Sequence, residues 1–188
     1  GAIGIYLCGN GNTIVEQNEV FECDRGIGLC SESYKLQTKD CIVRDNFVYN
    51  NFRTGIYMGA YLGFDGLSTK NCYVVNNTLF NNNLKGGQLD GTNNYLKVND
   101  RDNSSEGEIR LSELCEENVI ANNIIYAVSD RDIFIRKYTT SGKNNYIGGN
   151  IYFSPTKKNH KWIWDGKEYT DFSAWQAVSG DKTSVFGV

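Results

Sequence analysis

The chain has 188 residues, which is enough for one domain with a buried core. Its 19 basic and 22 acidic residues leave a net charge of −3, which excludes a general attraction to nucleic acid or to an anionic membrane surface. No apolar run is long enough to span a bilayer and no secretory signal peptide is visible, so we expect a mature or trimmed chain.

Asparagine marks a pattern that occurs five times without gaps. Two apolar residues and two variable residues precede each Asn, and an apolar residue and an aromatic residue follow it one position later. The five segments are 13–21, 41–49, 72–80, 118–126 and 145–153, and their asparagines are Asn18, Asn46, Asn77, Asn123 and Asn150. Because Asn tolerates left-handed backbone and bonds to nearby amides, the pattern predicts one corner used repeatedly, with the Asn side chains in a ladder.

A second strand pattern lies between these segments and alternates apolar and outward-facing residues. Its inward residues are Ile5, Ile27, Ile56, Ile109 and Ile133, followed by Leu7, Leu29, Met58, Leu111 and Ile135. One such repeat cannot bury its apolar face alone, whereas stacked repeats form a continuous core. We therefore predict an all-β chain, a right-handed parallel β-helix of about five to six coils with an Asn ladder. An antiparallel β-sandwich is the alternative, but it does not explain the gap-free Asn register.

The interval between Asn77 and Asn123 is longer than the others, and the excess lies between Phe80 and Gly107. Residues 81–106 are polar and glycine-rich, so we expect either a surface loop or one degenerate coil. Long polar insertions on repeat proteins commonly lie on the binding face.

The pattern changes after Pro155. Residues 162–169 predict a hairpin that turns at Asp165-Gly166, and residues 171–178 predict a short helix with Asp171 or Ser173 as N-cap. We expect the aromatic residues here to pack on the last coil rather than to bind sugar, because the end of a stack needs a cover. The domain prediction is a β-helix over 1–155 and a capping segment over 156–188.

The Asn coils resemble the right-handed parallel β-helix proteins of the pectate-lyase-like superfamily. The tail, with Trp164-Asp-Gly, then Asp171-Phe-x-x-Trp175-Gln and Gly180-Asp, is similar to the end of secreted bacterial β-helix proteins. The resemblance implies a carbohydrate-active protein that is secreted or lies at the cell surface or in the periplasm. Family members usually have more coils and an N-terminal capping helix, so the resemblance also implies the C-terminal part of a longer protein. No cofactor is expected; calcium is the alternative, although no Asp cluster clearly matches the calcium site of pectate lyases.

The outward residues of the second strand are the candidate site. The first predicted column contains Tyr6, Gly28, Tyr57, Arg110 and Phe134, and the second contains Cys8, Cys30, Gly59, Ser112 and Arg136. Aromatic rings stack on pyranose faces, and guanidinium groups bind carboxylates, so this face suits an acidic polysaccharide. The candidate catalytic residues are Arg110, Arg136, Lys137 and Asp65, and the candidate substrate-binding residues are Tyr6, Tyr57, Phe134, Asp90 and Arg101.

Two kinds of chemistry are open for such a site. A uronate lyase or epimerase needs a base beside the sugar carboxylate, and Lys137 or Tyr57 is the candidate. A glycoside hydrolase needs two nearby carboxyl groups. The carboxylates considered are Asp65, Asp90, Glu108, Glu113 and Asp132. The alternatives are an ordinary solvated strand face and a non-catalytic carbohydrate-binding or structural module of a larger surface protein.

The remaining charged and sulfur-containing residues carry weaker expectations. Arg25, Arg53 and Arg131 are predicted on turns, with Asp24-Arg25 as a surface ion pair. Of the six cysteines, Cys41 and Cys72 are expected to be buried, and Cys8–Cys30 is the candidate disulfide. We expect a monomer whose partner is a poly- or oligosaccharide. A protein-adhesion module would need an exposed apolar patch, and none is evident in the sequence.

Overall fold

A computed structural model describes residues 2–84, 106–128, 133–155 and 160–187. The described part of the chain is built of short β-strands that pair mostly in parallel, with one short helix around residue 175. Among the described residues, no helix has the length and apolar character needed to cross a membrane. The predicted all-β class is confirmed.

The five Asn segments form two parallel sheets, with the Asn at the corner between them. The strand before the Asn contributes to a five-stranded sheet of β2 (Ile14–Glu16), β6 (Ile42–Arg44), β10 (Tyr73–Val75), β14 (Val119–Ala121) and β17 (Tyr146–Gly148). The strand after it contributes to a six-stranded sheet of β3 (Glu19–Phe21), β7 (Phe47–Tyr49), β11 (Thr78–Phe80), β15 (Ile124–Tyr126), β18 (Ile151–Phe153) and β21 (Val185–Phe186). Equivalent positions of successive repeats are register partners, which confirms the gap-free alignment.

The Asn side chains form the predicted ladder. The main-chain N–H and the side-chain amide of Asn46 both donate to Oδ1 of Asn77, at 3.1 and 2.9 Å. Asn77 donates in the same way to Asn123, and Asn123 to Asn150. The residue before each Asn has a positive φ, as at Asn76 (56°) and Asn122 (58°). The doubled asparagines therefore have two roles, because the first adopts the left-handed corner and the second bonds across the repeats.

A seven-stranded sheet carries the second strand pattern. Its strands are β1 (Ile3–Cys8), β4 (Arg25–Cys30), β8 (Thr54–Met58), β12 (Ile109–Leu111), β16 (Ile133–Lys137), β19 (Lys161–Trp164) and β20 (Lys167–Tyr169). All pairs are parallel except the final hairpin of β19 and β20. A small three-stranded sheet contains β5 (Thr38–Lys39), β9 (Thr69–Lys70) and β13 (Cys115–Glu116). Along the chain, each of these strands comes directly before a strand of the five-stranded sheet.

The predicted register of β16 is wrong by two residues. Ile109 pairs with Ile135 rather than with Ile133, so Arg136 and not Phe134 lies beside Arg110. A bulge in β16 places one extra residue between Ile133 and Arg136, relative to their register partners in β19. The extra residue turns the Phe134 side chain inward. Phe134 is fully buried, with its ring 4.9 Å from that of Trp162.

The C-terminal segment has the predicted hairpin and helix. Asp165 and Gly166 both have positive φ, as a two-residue hairpin turn requires. Helix α1 (Phe172–Ser179) begins after Asp171, whose carboxylate accepts from the N–H of Ala174 at 2.8 Å. Trp162 and Trp175 are fully buried and stack at 5.9 Å, so they serve the core at this end of the sheets.

The six cysteines are free thiols. Cys41 and Cys72 are fully buried, as expected. Cys8 and Cys30 are register partners on adjacent strands but are not bonded. Parallel pairing aims their Cβ atoms in the same direction, which disfavours a disulfide.

Candidate functional site

The outward row of the seven-stranded sheet contains Tyr6, Gly28, Tyr57, Arg110 and Arg136 as successive register partners. Three of the predicted site residues are therefore brought side by side on three adjacent strands. Tyr6 lies at one end of the row and is 44% exposed, whereas Arg110 is 1% exposed. The row thus has an open end and a buried centre.

The centre of the row is a stack of alternating guanidinium groups and phenol rings. The Cζ atom of Arg110 lies 4.8 Å from the ring centroid of Tyr57 and 4.5 Å from that of Tyr138. Arg25 also lies over the Tyr57 ring, at 5.1 Å, and Arg136 lies over Tyr138 at 3.9 Å. These separations are in the range of cation–π contacts. We call these five residues the Arg–Tyr stack.

Glu106 binds arginines of the Arg–Tyr stack through its carboxylate. Its carboxylate accepts two bonds from Arg25, at 3.0 and 2.9 Å, and one each from Arg53 and Arg110, both at 2.6 Å. Burial alone would raise the pKa of this carboxyl, but the three guanidinium groups outweigh it and hold the pKa well below its usual range. Glu106 therefore remains ionised and neutralises part of a buried cluster of positive charge.

The residues around the 81–106 interval bring Glu106 to this position. The N–H of Glu106 donates to Oδ1 of Asn83 at 3.2 Å, which closes the base of the interval. Two residues later, the carboxylate of Glu108 accepts from the main chain and side chain of Asn82, at 2.9 and 2.6 Å. Asn82 itself continues a second ladder, because its Oδ1 accepts from Asn51.

The expectation that Asp24 and Arg25 form a surface ion pair is wrong, because this pair is largely buried together with Arg53. The Arg53 side chain is 2% exposed and that of Arg25 is 14% exposed. Asp24 is also buried, and its carboxylate lies 3.6 Å from Arg25 and 3.7 Å from Arg53. The turn residues of two successive repeats therefore face Glu106 rather than solvent.

The two candidate bases are poorly suited to proton abstraction. Burial, reinforced by Cys30, raises the pKa of the Tyr57 phenol well above its ordinary value and outweighs the neighbouring arginines, so the phenol stays protonated. The Lys137 ammonium is buried and donates to the carboxylate of Asp165 and to the carbonyl of Thr139. Lys137 thus joins β16 to the hairpin turn.

The candidate carboxylates are held by different partners. Asp65 accepts from the Tyr34 hydroxyl at 2.9 Å in an exposed aromatic loop. Glu113 accepts from Ser141, from Thr139 at 3.1 Å and from the N–H of Gly63 at 3.1 Å. Within the described ranges, no three His, Cys, Asp or Glu residues are grouped so that they would hold a metal ion. Asp90, Arg101, Arg131 and Asp132 lie outside the described residues.

The sequence analysis missed Glu106 and Tyr138. Neither belongs to an aligned repeat position: Glu106 closes the irregular interval, and Tyr138 follows the strand whose register slips by two. The available signal was the position of Glu106 as the last residue before the pattern resumes at Gly107 and Glu108.

Comparison with known proteins adds one similarity. No protein-family model matches the chain, and no solved structure matches it. Over 186 residues, or 97% of the chain, the sequence is 30% identical to a Bacillus subtilis protein named "Uncharacterized protein YwoF". The chain spans about a third (35%) of the length of this curated relative.

Proposed function

We propose that the repeats wind as a right-handed parallel β-helix of the pectate-lyase-like type, with about six coils. The support is that successive repeats contribute one strand in turn to each parallel sheet, in the same order and register. The hairpin and helix α1 would then cover the last coil.

We further propose that the protein engages an extracellular acidic polysaccharide at the Arg136 end of the Arg–Tyr stack. The observation that carries this proposal is the position of Arg136, which is only partly buried and lies over the Tyr138 ring at the end of the Arg–Tyr stack. A guanidinium oriented in this way suits the carboxylate of a uronic acid, which it can bind with two parallel hydrogen bonds. Tyr6, at the other end of the row, offers an exposed ring for a sugar face.

Lyase or epimerase chemistry is the catalytic form of this proposal. Such a reaction removes the proton next to the sugar carboxylate, so it needs a base. Arg136 would bind the carboxylate as a cation, since arginine keeps its proton in proteins, so the base would have to be another residue such as Lys137 or Tyr57. Hydrolysis has less support, since Asp65, Glu108 and Glu113 each bond to a separate set of partners.

A non-catalytic binding or structural module is the second candidate. It is favoured by the way the centre of the stack is used, because Arg110 donates to Glu106 and to Ser112 (3.3 Å) while its guanidinium also lies 4.8 and 4.5 Å from the centroids of two tyrosine rings. A group engaged in this manner stabilises the sheet.

The test is to incubate the protein with polygalacturonate, alginate and a neutral glucan as control. Ultraviolet absorbance of unsaturated uronate products measures lyase activity, new reducing ends measure hydrolysis, and affinity electrophoresis measures binding. We expect binding to the acidic polymers alone, lost in Arg136→Ala and kept in Arg44→Ala, whose exposed arginine pairs with Glu16 on another sheet. Absence of both binding and turnover with every acidic polymer would refute the proposal. Binding without products would leave the non-catalytic candidate.

A further inference from the structure

The outward face of the six-stranded sheet carries a continuous row of aromatic rings. Every strand from β3 to β18 points its middle residue into the core and its third residue outward. These third residues, which we call the aromatic stripe, are Phe21, Tyr49, Phe80, Tyr126 and Phe153, and they are successive register partners. At a strand spacing of about 4.8 Å, the stripe runs for roughly 19 Å along the stack.

Three of the four neighbouring pairs in the stripe are in ring contact, and Tyr49 also stacks on Phe47 of the adjacent row at 4.5 Å. The Phe21 and Tyr49 rings are 5.1 Å apart and inclined by 15°, and the Tyr126 and Phe153 rings are 4.6 Å apart and inclined by 31°. Rings that stack along the row direct their edges, not their faces, toward solvent. A pyranose would need an open ring face, so the stripe is better suited to pack against another apolar surface than to bind sugar.

A second apolar row lies beside the stripe. Its members are the first residues of β7, β11, β15, β18 and β21, namely Phe47, Thr78, Ile124, Ile151 and Val185, and all but Thr78 are apolar. Among the outward residues of this sheet, Glu19 is the only charge, and it lies at the edge of the sheet where it accepts from the Tyr49 hydroxyl at 2.7 Å. The face thus has the composition of an interface core, which is rich in aromatic residues and poor in charge. The sequence analysis did not detect this patch, because its members are spread along the chain from Phe21 to Val185.

We propose that this face is the contact surface between two copies of the chain, in place of the monomer expected from the sequence. Six of its side chains are between 36 and 49% exposed, namely Phe21, Phe47, Phe80, Ile124, Ile151 and Val185. If a side chain of this size presents roughly 200 Å² when fully exposed, these six present about 500 Å². The half-buried Tyr49, Tyr126 and Phe153 add to this area. The total approaches the roughly 600–1,000 Å² per partner of a specific interface.

A two-fold axis fits the pattern. With the axis through the central Phe80, the Phe21 end of one stripe lies against the Phe153 end of the other, so ring meets ring along the whole length. Two sheets packed in this way lie about 10 Å apart. The single charge of each copy, Glu19, remains at the edge of the contact, so like charges are not buried against one another. Because the area is at the lower end for a stable contact, we expect a dissociation constant in the micromolar range.

The experiment is sedimentation equilibrium of the 188-residue chain over a wide concentration range, with a matched pair of variants. Ile124→Glu places a charge in the middle of the face at a residue that is 47% exposed. Tyr73→Glu is the control, since Tyr73 is 39% exposed on the neighbouring five-stranded sheet. We expect reversible dimers for the wild type, dimerisation weakened at least about tenfold by Ile124→Glu, and little change for Tyr73→Glu.

A second variant guards against misfolding. Ile151→Glu changes another exposed residue of the same face, and circular dichroism of each variant checks that the fold is retained. A wild type that stays monomeric at every concentration would overturn the proposal. So would folded Ile124→Glu and Ile151→Glu variants that dimerise like the wild type, or a Tyr73→Glu control that weakens the dimer equally.

Discussion

Replacing Glu106 by glutamine tests the electrostatics of the buried cluster. The carboxylate has no exposed surface and accepts from Arg25, Arg53 and Arg110. Glutamine is nearly isosteric, but it has one acceptor oxygen and no charge. Its amide N–H donors would also face the N–H donors of the guanidinium groups. Three buried cations would then lose their common counter-ion.

The expected cost is large relative to the stability of a single domain. Breaking a buried ion pair by removing one partner costs about 3–5 kcal/mol, and three partners place Glu106→Gln at the upper end of that range. Total stabilities are about 5–15 kcal/mol, so the variant should unfold at much lower urea concentration and be partly unfolded near body temperature. The matched control is Glu16→Gln, whose ion pair with Arg44 is about 40% exposed on both sides and should contribute at most about 1 kcal/mol.

The pH dependence gives an independent check. The folded pKa of Glu106 is depressed, whereas a glutamate in the unfolded chain titrates near about 4.3. The stabilisation is therefore present above about pH 4.3 and is lost as the pH falls further, since only the unfolded state then binds a proton. The wild type should lose stability in acid more steeply than Glu106→Gln. If Glu106→Gln cost no more than Glu16→Gln and the two acid profiles were parallel, the cluster would not stabilise the fold as described.

Three further outcomes follow from the same structure. Asn77→Ala should lower the free energy of unfolding by about 3 kcal/mol in urea titrations. Asn18→Ala should lower it by much less, because Oδ1 of Asn18 accepts no hydrogen bond from the described residues. Equal losses would refute the ladder's energetic role. Alkylation with mass spectrometry should label the exposed Cys8 rapidly, while burial raises the pKa of the Cys115 thiol to about 12 and keeps it unreactive until unfolding. The other thiols expected to stay protected are Cys30, Cys41 and Cys72. Asp171→Ala should cost about 1 kcal/mol by removing the cap of α1, and Asp171→Asn should restore most of it.

The repeat could be predicted from the sequence because an asparagine stands at the same position of every corner and bonds to the equivalent asparagine of the next repeat. Asn46 and Asn77 stand at the same place in their repeats, and a gap-free alignment is enough to bring them into contact. The register of β16 could not be predicted, because a bulge has no mark in the alternation of Ile133 and Ile135. The inward turn of Phe134 depends on the aromatic cluster that receives it.

The candidate site was predictable only in part. The neighbourhood of Tyr57 and Arg110 followed from strand register. The position of Glu106 did not, because it lies 81 residues from Arg25 and outside every aligned repeat. Charges next to turns are usually solvated, so the sequence favoured surface ion pairs for residues whose burial depends on a distant carboxylate.

The direct contact between Asn77 and Asn123 has a consequence for how such a chain can change. These residues are 46 positions apart, yet their hydrogen bonds match those of neighbours 27 or 28 positions apart. The hydrogen bonds between stacked repeats therefore do not depend on the length of chain between them, provided that Asn83 and Glu106 still meet at the base of the interval. That interval is a natural point for grafting: its sequence can be exchanged or lengthened through duplication or design while the layers above and below keep their alignment.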